Sequence, residues 1–405
     1  MKKPGRIGLA AVLLLALAAL QHAIGVKAAG GPEEGNSGPY RALAPIASGD
    51  LLLFPVVRTD GKSAGETPFI TLDEGLKSGE VEVTEAGRAR GLLRPRGGEA
   101  PRDRGDEVNT LVLVNHSKRP LLLLAGEIVT GGKQDRIVAK DRIVPANADP
   151  IDLTVFCIEP GRWTETSSSF GASAKSSTQS IMVQPEVRER AMVEQDQQQV
   201  WDSVHGTIAQ MESAASATAS PDAGGMRYPA APQATTSYAK VMASPAVSQK
   251  VDEAAAQVMG EREQVLAKLR DEHAVGVVVA VRGELVWADL FASTDLLSRY
   301  WTKLVRSYAA ESVTERESDA DSGRVPTAND AQHFLDAPVS GTENAEGEVG
   351  VYRYRELTSG GAETFVLESL LPGAAYNVHI SKMKLRGEKR HTAKPQPMHQ
   401  PEIYR

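Results

Sequence analysis

The first half of the chain carries short apolar runs separated by glycine, proline and polar residues. Apolar runs of about four to eight residues between turn residues predict buried strands. The clearest runs are 51–57, 110–114, 121–125 and 151–158. The runs 110–114 and 121–125 are joined by only a short polar segment, so we expect them to pair with each other.

Helical spacing replaces these runs from Pro185 onward. Proline is favourable at the first position of a helix. Apolar residues then recur on one helical face, which predicts an amphipathic helix. The residues on that face are Val193, Val200, Val204, Ile208 and Met211. A second such helix is predicted from Val251, Ala255, Val258, Val265 and Leu269.

A hairpin and a third helix follow. Residues 275–282 and 284–291 flank Gly283, which predicts two antiparallel strands with a tight turn. Ser293 and its neighbours predict a helix N-cap, followed by an apolar face with Leu297, Trp301, Leu304 and Tyr308. Three strand-like runs lie around Tyr352, Phe365 and Val378. The whole pattern predicts an α+β fold: a strand-rich N-terminal half, packed amphipathic helices and a small β-like C-terminal extension.

Composition divides the chain further. We predict a signal peptide at 1–28, a linker at 29–38 and a main α+β domain at 39–310 with a low-complexity insert at 213–248. A polar linker is predicted at 311–348, a small β-rich extension at 349–381, and a basic, disordered tail at 382–405.

The N-terminus has the pattern of a secretory signal peptide. Lys2, Lys3 and Arg6 precede the apolar run 7–20, and small residues suited to cleavage end at Ala28. The apolar run is shorter than the ~20 residues that span a bilayer. We therefore expect an exported protein, periplasmic or extracellular, with no membrane span after cleavage.

Charge and cysteine content narrow the functional classes. The chain has 405 residues and a net charge of -7, which argues against nucleic-acid binding through a basic surface. Cys157 is the only cysteine, so an intrachain disulfide is excluded. The scattered histidines lack the spacing of a zinc site, so no metal is predicted. The sequence leaves any cofactor unknown.

A glycine-rich turn follows the run 121–125 and holds the first group of candidate residues. It contains Glu127, Lys133, Gln134, Asp135 and Arg136. The turn fails as a nucleotide-binding P-loop, because Gln134 stands where that motif needs a serine or threonine. Its backbone amides can bind an anion, or its glycines only make a tight turn with solvated charges.

The second group of candidate residues ends the run 151–158. Glu159-Pro-Gly-Arg162 fits a type II turn, which brings Glu159 and Arg162 close together. Arg162 then either binds an anionic ligand or closes the turn as a structural ion pair. Trp163 follows, and an exposed indole can stack on a ring. Glu127 and Glu159 are candidate catalytic carboxylates, while Lys133, Gln134, Asp135, Arg136, Arg162 and Trp163 are candidate ligand-binding residues.

These motifs also resemble a bacterial family. Segments 124–128, 131–136 and 157–163, taken in that order, are similar to the ARG and Rhodanese-Phosphatase-superfamily-associated protein domain. The resemblance extends over about 40–310 and leaves 311–405 outside. The family's name implies an association with ADP-ribosylglycohydrolase and phosphatase-type domains, and so a link to ADP-ribose or nucleotide metabolism.

Three functions are open at this point. The first is a module that binds an anionic small molecule, nucleotide- or ADP-ribose-related, with Arg136 and Arg162 holding the anion. The second is a hydrolase of a phosphoester or nucleotide sugar, with Glu127 or Glu159 as base. The third is an envelope scaffold with protein partners, in which both motifs only shape turns.

Overall fold

The computed structural model describes residues 38–61, 65–91, 109–159, 161–162, 165–167, 169–171, 181–217, 235–314, 324–337, 341–359 and 361–385. Apart from Gly38, they belong to one compact unit, Pro39–Arg405. The predicted signal peptide, most of the predicted linker after it, residues 218–234 of the insert and the tail from 386 lie outside the described residues.

The fold is α+β, as predicted. Its strands are β1 (Tyr40–Ala42), β2 (Ile46–Ser48), β3 (Leu51–Arg58), β4 (Ile70–Thr71), β5 (Val81–Glu85), β6 (Thr110–Asn115), β7 (Leu121–Leu123), β8 (Ile128–Val129), β9 (Arg136–Val138), β10 (Arg142–Val144), β11 (Ile151–Cys157), β12 (Ala274–Val281), β13 (Glu284–Phe291), β14 (Glu343–Glu348), β15 (Tyr352–Ser359), β16 (Ala362–Ser369) and β17 (Tyr376–Lys384).

The α-helices are α1 (Leu72–Ser78), α2 (Pro185–Glu189), α3 (Gln197–Ala217), α4 (Tyr238–Ala243), α5 (Pro245–Ala254), α6 (Ala256–Gly260), α7 (Arg262–Asp271), α8 (Thr294–Val313) and α9 (Ala328–Asp336). A 3-10 helix covers Ala86–Gly91 and a π-helical turn covers Arg190–Glu194. No helix in the described part of the chain is both long and apolar enough to cross a membrane.

The strands form three sheets. The largest has the order β1-β3-β12-β13-β17-β16-β15-β14, with β2 also paired to β3. A smaller sheet has the order β5-β6-β11-β9-β8, and a third has the order β10-β7-β4. The β8–β9 turn and the end of β11 therefore lie in one sheet, because β11 pairs with β9 from Val155↔Val138 to Cys157↔Arg136.

Helices cover both faces of the large sheet. On one face, α8 buries the predicted residues Leu297, Trp301, Leu304 and Tyr308 in the main core. On the other face, Ala331 and Phe334 of α9 pack against Val278 and Leu290. The apolar face of α3 is also buried as predicted, from Val200 to Met211.

Local sequence signals correctly predicted the β12–β13 hairpin and the start of α8. The hairpin β12–β13 turns at Arg282 and Gly283, whose φ angles are 50° and 80°. Ser293 caps α8, since its side chain accepts a hydrogen bond from the Leu296 amide. Thr71 begins α1 with a complete capping box.

Three local predictions were wrong. The runs 110–114 and 121–125 do not pair with each other: β6 pairs with β5 and β11, whereas β7 pairs with β10 and β4. The Asn115 side chain explains this, because it donates to the carbonyls of Arg119 and Pro145, each at 2.9 Å, and bends the connection.

The second amphipathic helix is divided into α5, α6 and α7, with breaks at Ala255 and Glu261. Its apolar residues are nevertheless buried. The polar stretch 311–348, interpreted as a linker, contains the last residues of α8, all of α9 and the strand β14. A capping box at Thr327 begins α9.

The core also holds charged residues. Asp289 of β13 is fully buried and accepts hydrogen bonds from Arg188 at 2.9 and 3.1 Å, and from Tyr308. The buried His379 of β17 lies between two carboxylates, 2.6 Å from Asp141 and 3.2 Å from Asp289. The network joins β13, β17, α2, α8 and the residues before β10.

Candidate functional site

The glycine-rich turn connects β8 to β9, and carboxylates accept hydrogen bonds from its backbone amides. Gly131 and Gly132 have φ angles of 122° and 51°, which favour glycine. A carboxylate oxygen of Asp135 accepts a hydrogen bond of 3.1 Å from the Gly131 amide. The Lys133 amide donates to Glu85 at 2.9 Å. The backbone amides of Gly131 and Lys133 are therefore already hydrogen-bonded to carboxylates of the protein.

The second turn follows β11. Gly161 has a φ angle of 87°, and the Arg162 amide donates to the Glu159 carbonyl at 3.4 Å. Both features agree with the predicted type II turn. The neighbouring Trp163 lies outside the described residues.

The two turns meet in one hydrogen-bonded cluster. The guanidinium of Arg162 pairs with Glu159 and lies 3.5 Å from Asp135. The Asp135 amide donates to the Glu159 carboxylate at 3.2 Å, and the Gln134 side chain donates to the Glu159 carbonyl at 3.1 Å. The structure therefore brings together Gln134, Asp135, Glu159 and Arg162 from two separate motifs.

Helix α4 adds two residues that the sequence motifs did not indicate. The hydroxyl of Ser237 donates to Asp135 at 2.8 Å, and the same residue is the N-cap of α4. The ammonium of Lys240 lies 3.8 Å from Glu159, with 64% of its side chain exposed. Serine is a favoured helix N-cap, but nothing in the local sequence signals contact with Asp135.

Cys157 lies behind the turns, against Gln134 and Gln197. Its thiol is 2.6 Å from the side-chain oxygen of Gln134, and its backbone N–H and C=O are both bonded to the Gln197 amide. Burial raises the pKa of the Cys157 thiol. The neutral thiol is a weak nucleophile, so Cys157 fits a supporting role.

Besides Cys157, two groups in the cluster have shifted pKa values, Asp135 and Arg136. Burial and the adjacent charge of Glu159 raise the pKa of Asp135. Burial lowers the pKa of Arg136, although the neighbouring Glu85 acts to raise it. Arg162, by contrast, keeps 16% of its side chain exposed and connects the cluster to solvent. Shifted titratable groups at a solvent-connected cluster are typical of functional sites.

A family comparison extends this picture. The model of the ARG and Rhodanese-Phosphatase-superfamily-associated Protein domain, ARPP-1, matches residues 39–383. The chain belongs to the ARPP-1 family. The match continues past residue 310, where the resemblance of the motifs ended, and includes the C-terminal strands up to β17. No curated protein matches the chain, and no solved structure matches it.

The ARPP-1 structure places Glu127 apart from Glu159. Glu127 is fully buried, where its carboxylate accepts from the Leu124 amide at 2.7 Å and lies 2.5 Å from Lys303. Lys303 also pairs with Asp73 at 2.7 Å. Burial would lower the pKa of Lys303, but the carboxylates of Glu127 and Asp73 raise it. Glu127 thus shares no bonded partner with Glu159 among the described residues.

The segment that leads to Glu127 is tightly enclosed. The Ala125 amide donates to Asp141 at 2.8 Å. A Cβ atom on Gly126 would lie 2.5 Å from the Arg188 side chain. The segment that leads to Glu127 therefore packs directly against two buried charged residues of the core, Asp141 and Arg188. Within the described residues, no group of three or more His, Cys, Asp or Glu side chains forms a possible metal site.

Proposed function

We propose that this ARPP-1 protein binds an anionic small molecule, nucleotide- or ADP-ribose-related, where its two turns meet. The observation that carries the proposal is the convergence of Arg162, Lys240 and two carboxylates at the solvent-connected end of two glycine turns. Arginine and lysine supply charge-assisted hydrogen bonds to phosphate. The family's name, which associates it with ARG and phosphatase proteins, supports this ligand class.

The carboxylates favour a particular mode of binding. Arg162 contacts both Glu159 and Asp135, and burial together with the charge of Glu159 raises the pKa of Asp135. An anion bound nearby would raise the pKa of Asp135 further. The protein would then take up a proton at Asp135 when the anion binds. We therefore expect ADP-ribose, whose diphosphate keeps its charge near neutrality, to bind more tightly as the pH is lowered.

Calorimetry and thermal unfolding with ADP-ribose test this proposal. At about 100 times its dissociation constant, a ligand stabilises the folded protein by ~2.7 kcal/mol. We expect Arg162→Ala to abolish that stabilisation and Asp135→Asn to remove its pH dependence. The matched control is Arg299→Ala, because Arg299 is similarly enclosed at 18% side-chain exposure and also pairs with a carboxylate, Glu74.

Two outcomes would contradict it. If Arg162→Ala binds as tightly as the unmodified protein, the ligand lies elsewhere. If ADP-ribose, mononucleotides and inorganic phosphate all leave the unfolding temperature unchanged, the scaffold interpretation with protein partners gains weight.

A hydrolase is the second candidate, favoured by the neighbouring carboxylates of Asp135 and Glu159. A carboxyl group with a raised pKa beside a second carboxyl group suits general acid–base chemistry. Asp135→Asn would then abolish phosphate or sugar release from a nucleotide sugar while leaving binding intact. Glu127→Gln, which lies in the separate Lys303 cluster, would change stability more than turnover.

Export completes the proposal. The support is the sequence alone: Lys2, Lys3 and Arg6 followed by the apolar run 7–20. Expression in a bacterial host, fractionation and N-terminal sequencing would test it. We expect a mature protein that begins at Ala29 in the periplasm or medium; an intact N-terminus in the cytoplasmic fraction would contradict export.

A further inference from the structure

A cleft lies between the β12–β13 turn, α9 and the end of β17. It has a volume of about 510 Å³. Small-molecule sites commonly have ~300–1,000 Å³. Its lining includes Glu284, Leu285, Arg324, His333, Phe334 and Lys384. None of these residues belongs to the cluster of the two glycine turns.

The apolar floor of this cleft is shaped by a β-bulge. The pairing of β12 with β13 moves from Val279↔Trp287 to Ala280↔Leu285, which leaves Val286 as an extra residue. Leu285 consequently packs in the same cluster as Phe334 of α9. Bulges often re-aim a side chain beside a site.

The wall formed by α9 is firmly attached. The buried Lys382 of β17 donates to the carbonyls of Leu335 and Ala337, at 3.2 and 2.8 Å, at the C-terminal end of α9. Its ammonium also lies 5.8 Å from the Phe334 ring centre. The cleft is therefore preformed, which lowers the entropic cost of binding.

Opposite charges remain available at the rim. Arg324 and Asp330 neutralise each other through contacts of 2.5 and 2.6 Å. Glu284 and Lys384 differ from that pair: neither side chain has a hydrogen-bonding or ionic partner in the described part of the chain. The cleft thus offers one negative group, one positive group and an apolar floor of Leu285 and Phe334.

We infer that this cleft binds an apolar α-amino acid in its zwitterionic form. The α-ammonium group pairs with Glu284, the α-carboxylate pairs with Lys384, and the side chain lies on Leu285 and Phe334. A ligand with only one charge leaves either Glu284 or Lys384 unmatched, and a polar side chain loses the apolar contact.

Calorimetry on the full chain with L-phenylalanine, 3-phenylpropionate and 2-phenylethylamine tests this inference. The second compound lacks the ammonium group and the third lacks the carboxylate. We expect both to bind about tenfold or more weakly than L-phenylalanine, which corresponds to the loss of one charge-assisted bond. L-leucine is expected to bind and L-serine is not.

Charge-removing variants assign the two ends of the ligand. Lys384→Gln should weaken L-phenylalanine and 3-phenylpropionate but not 2-phenylethylamine, whereas Glu284→Gln should weaken L-phenylalanine and the amine only. The matched controls are Lys118→Gln and Glu82→Gln, which remove equivalent charges away from the cleft. Arg162→Ala should leave L-phenylalanine binding unchanged, so failure here is distinct from failure of the anion site.

Two results would overturn the inference. One is the absence of L-phenylalanine binding at millimolar concentration. The other is binding that neither Lys384→Gln nor Glu284→Gln weakens, since the ligand then lies outside this cleft.

Discussion

Asp289 has polar side-chain partners on three other elements of the fold, α2, α8 and β17. Arg188 and Tyr308 donate to it, Ser381 donates at 3.2 Å, and His379 lies against it. Arg188 and His379 hold the pKa of the Asp289 carboxyl far below its ordinary value, in spite of burial. Removing one partner of such a buried pair leaves an uncompensated charge, which commonly costs ~3–5 kcal/mol.

His379 makes the stability of the protein depend on pH. Burial alone would lower its pKa, but Asp141 and Asp289 raise it from 6.5 to about 9. The folded protein holds this proton more tightly than the unfolded chain. The contribution is therefore complete below pH 6.5 and is lost as the pH rises through about 9.

We expect the free energy of unfolding to fall by roughly 3 kcal/mol or less across that window because of His379. Urea unfolding at a series of pH values from 6 to 9 would measure it. His379→Gln should flatten the dependence, and the exposed His205→Gln should keep it. An unchanged slope in His379→Gln would refute this assignment.

At the scale of an element, the β8–β9 turn depends on the glycine at 132. Its φ angle of 51° already disfavours other residues. A Cβ atom there would lie 2.4 Å from the Phe170 ring and 2.7 Å from the Glu85 carboxylate. The same Glu85 holds the Lys133 amide, so a displaced turn also disturbs the cluster around Asp135.

We expect Gly132→Ala to destabilise the protein by about 2–4 kcal/mol, from backbone strain and overpacking together. Gly49→Ala is the matched control, because Gly49 has a similar φ angle of 57° but open space around it. That variant should cost only ~1–2 kcal/mol. If chemical unfolding shows equal destabilisation by Gly132→Ala and Gly49→Ala, the Phe170 side chain moves aside at little cost and the prediction is wrong.

At the scale of the whole molecule, the C-terminal strands complete the large sheet. β17 pairs with β13 from Trp287↔Met383 to Phe291↔His379, and β16, β15 and β14 continue outward. β17 also supplies His379 and Ser381 to the buried network around Asp289. The main core contains Phe365, Leu367 and Val378 from these strands.

A fragment of residues 39–314 should therefore not fold cooperatively. It lacks β14–β17, which exposes one edge of β13 and leaves Asp141 and Asp289 without His379. Circular dichroism and urea unfolding, with residues 39–385 as the control, would test this. A sharp unfolding transition in the shorter fragment would show that 39–314 is an independent domain.

The sequence by itself determined the local structure. Alternating or continuous apolar runs predicted β3, β11, β12 and β13, and helical spacing predicted the buried faces of α3 and α8. Ser293 marked a helix start, and Gly161 marked a turn. These signals act over a few residues, because caps, turns and periodicity arise from neighbouring backbone groups.

Only the tertiary structure decided which distant groups meet. Glu127 and Glu159 have similar local surroundings in sequence, yet one pairs with Lys303 of α8 and the other with Arg162 and Lys240. Ser237 forms a hydrogen bond with Asp135, and His379 forms one with Asp141, although each pair is far apart in sequence. A buried charge is stable only beside a partner that the whole fold supplies, so these pairings depend on strand order and helix packing, which local patterns do not encode.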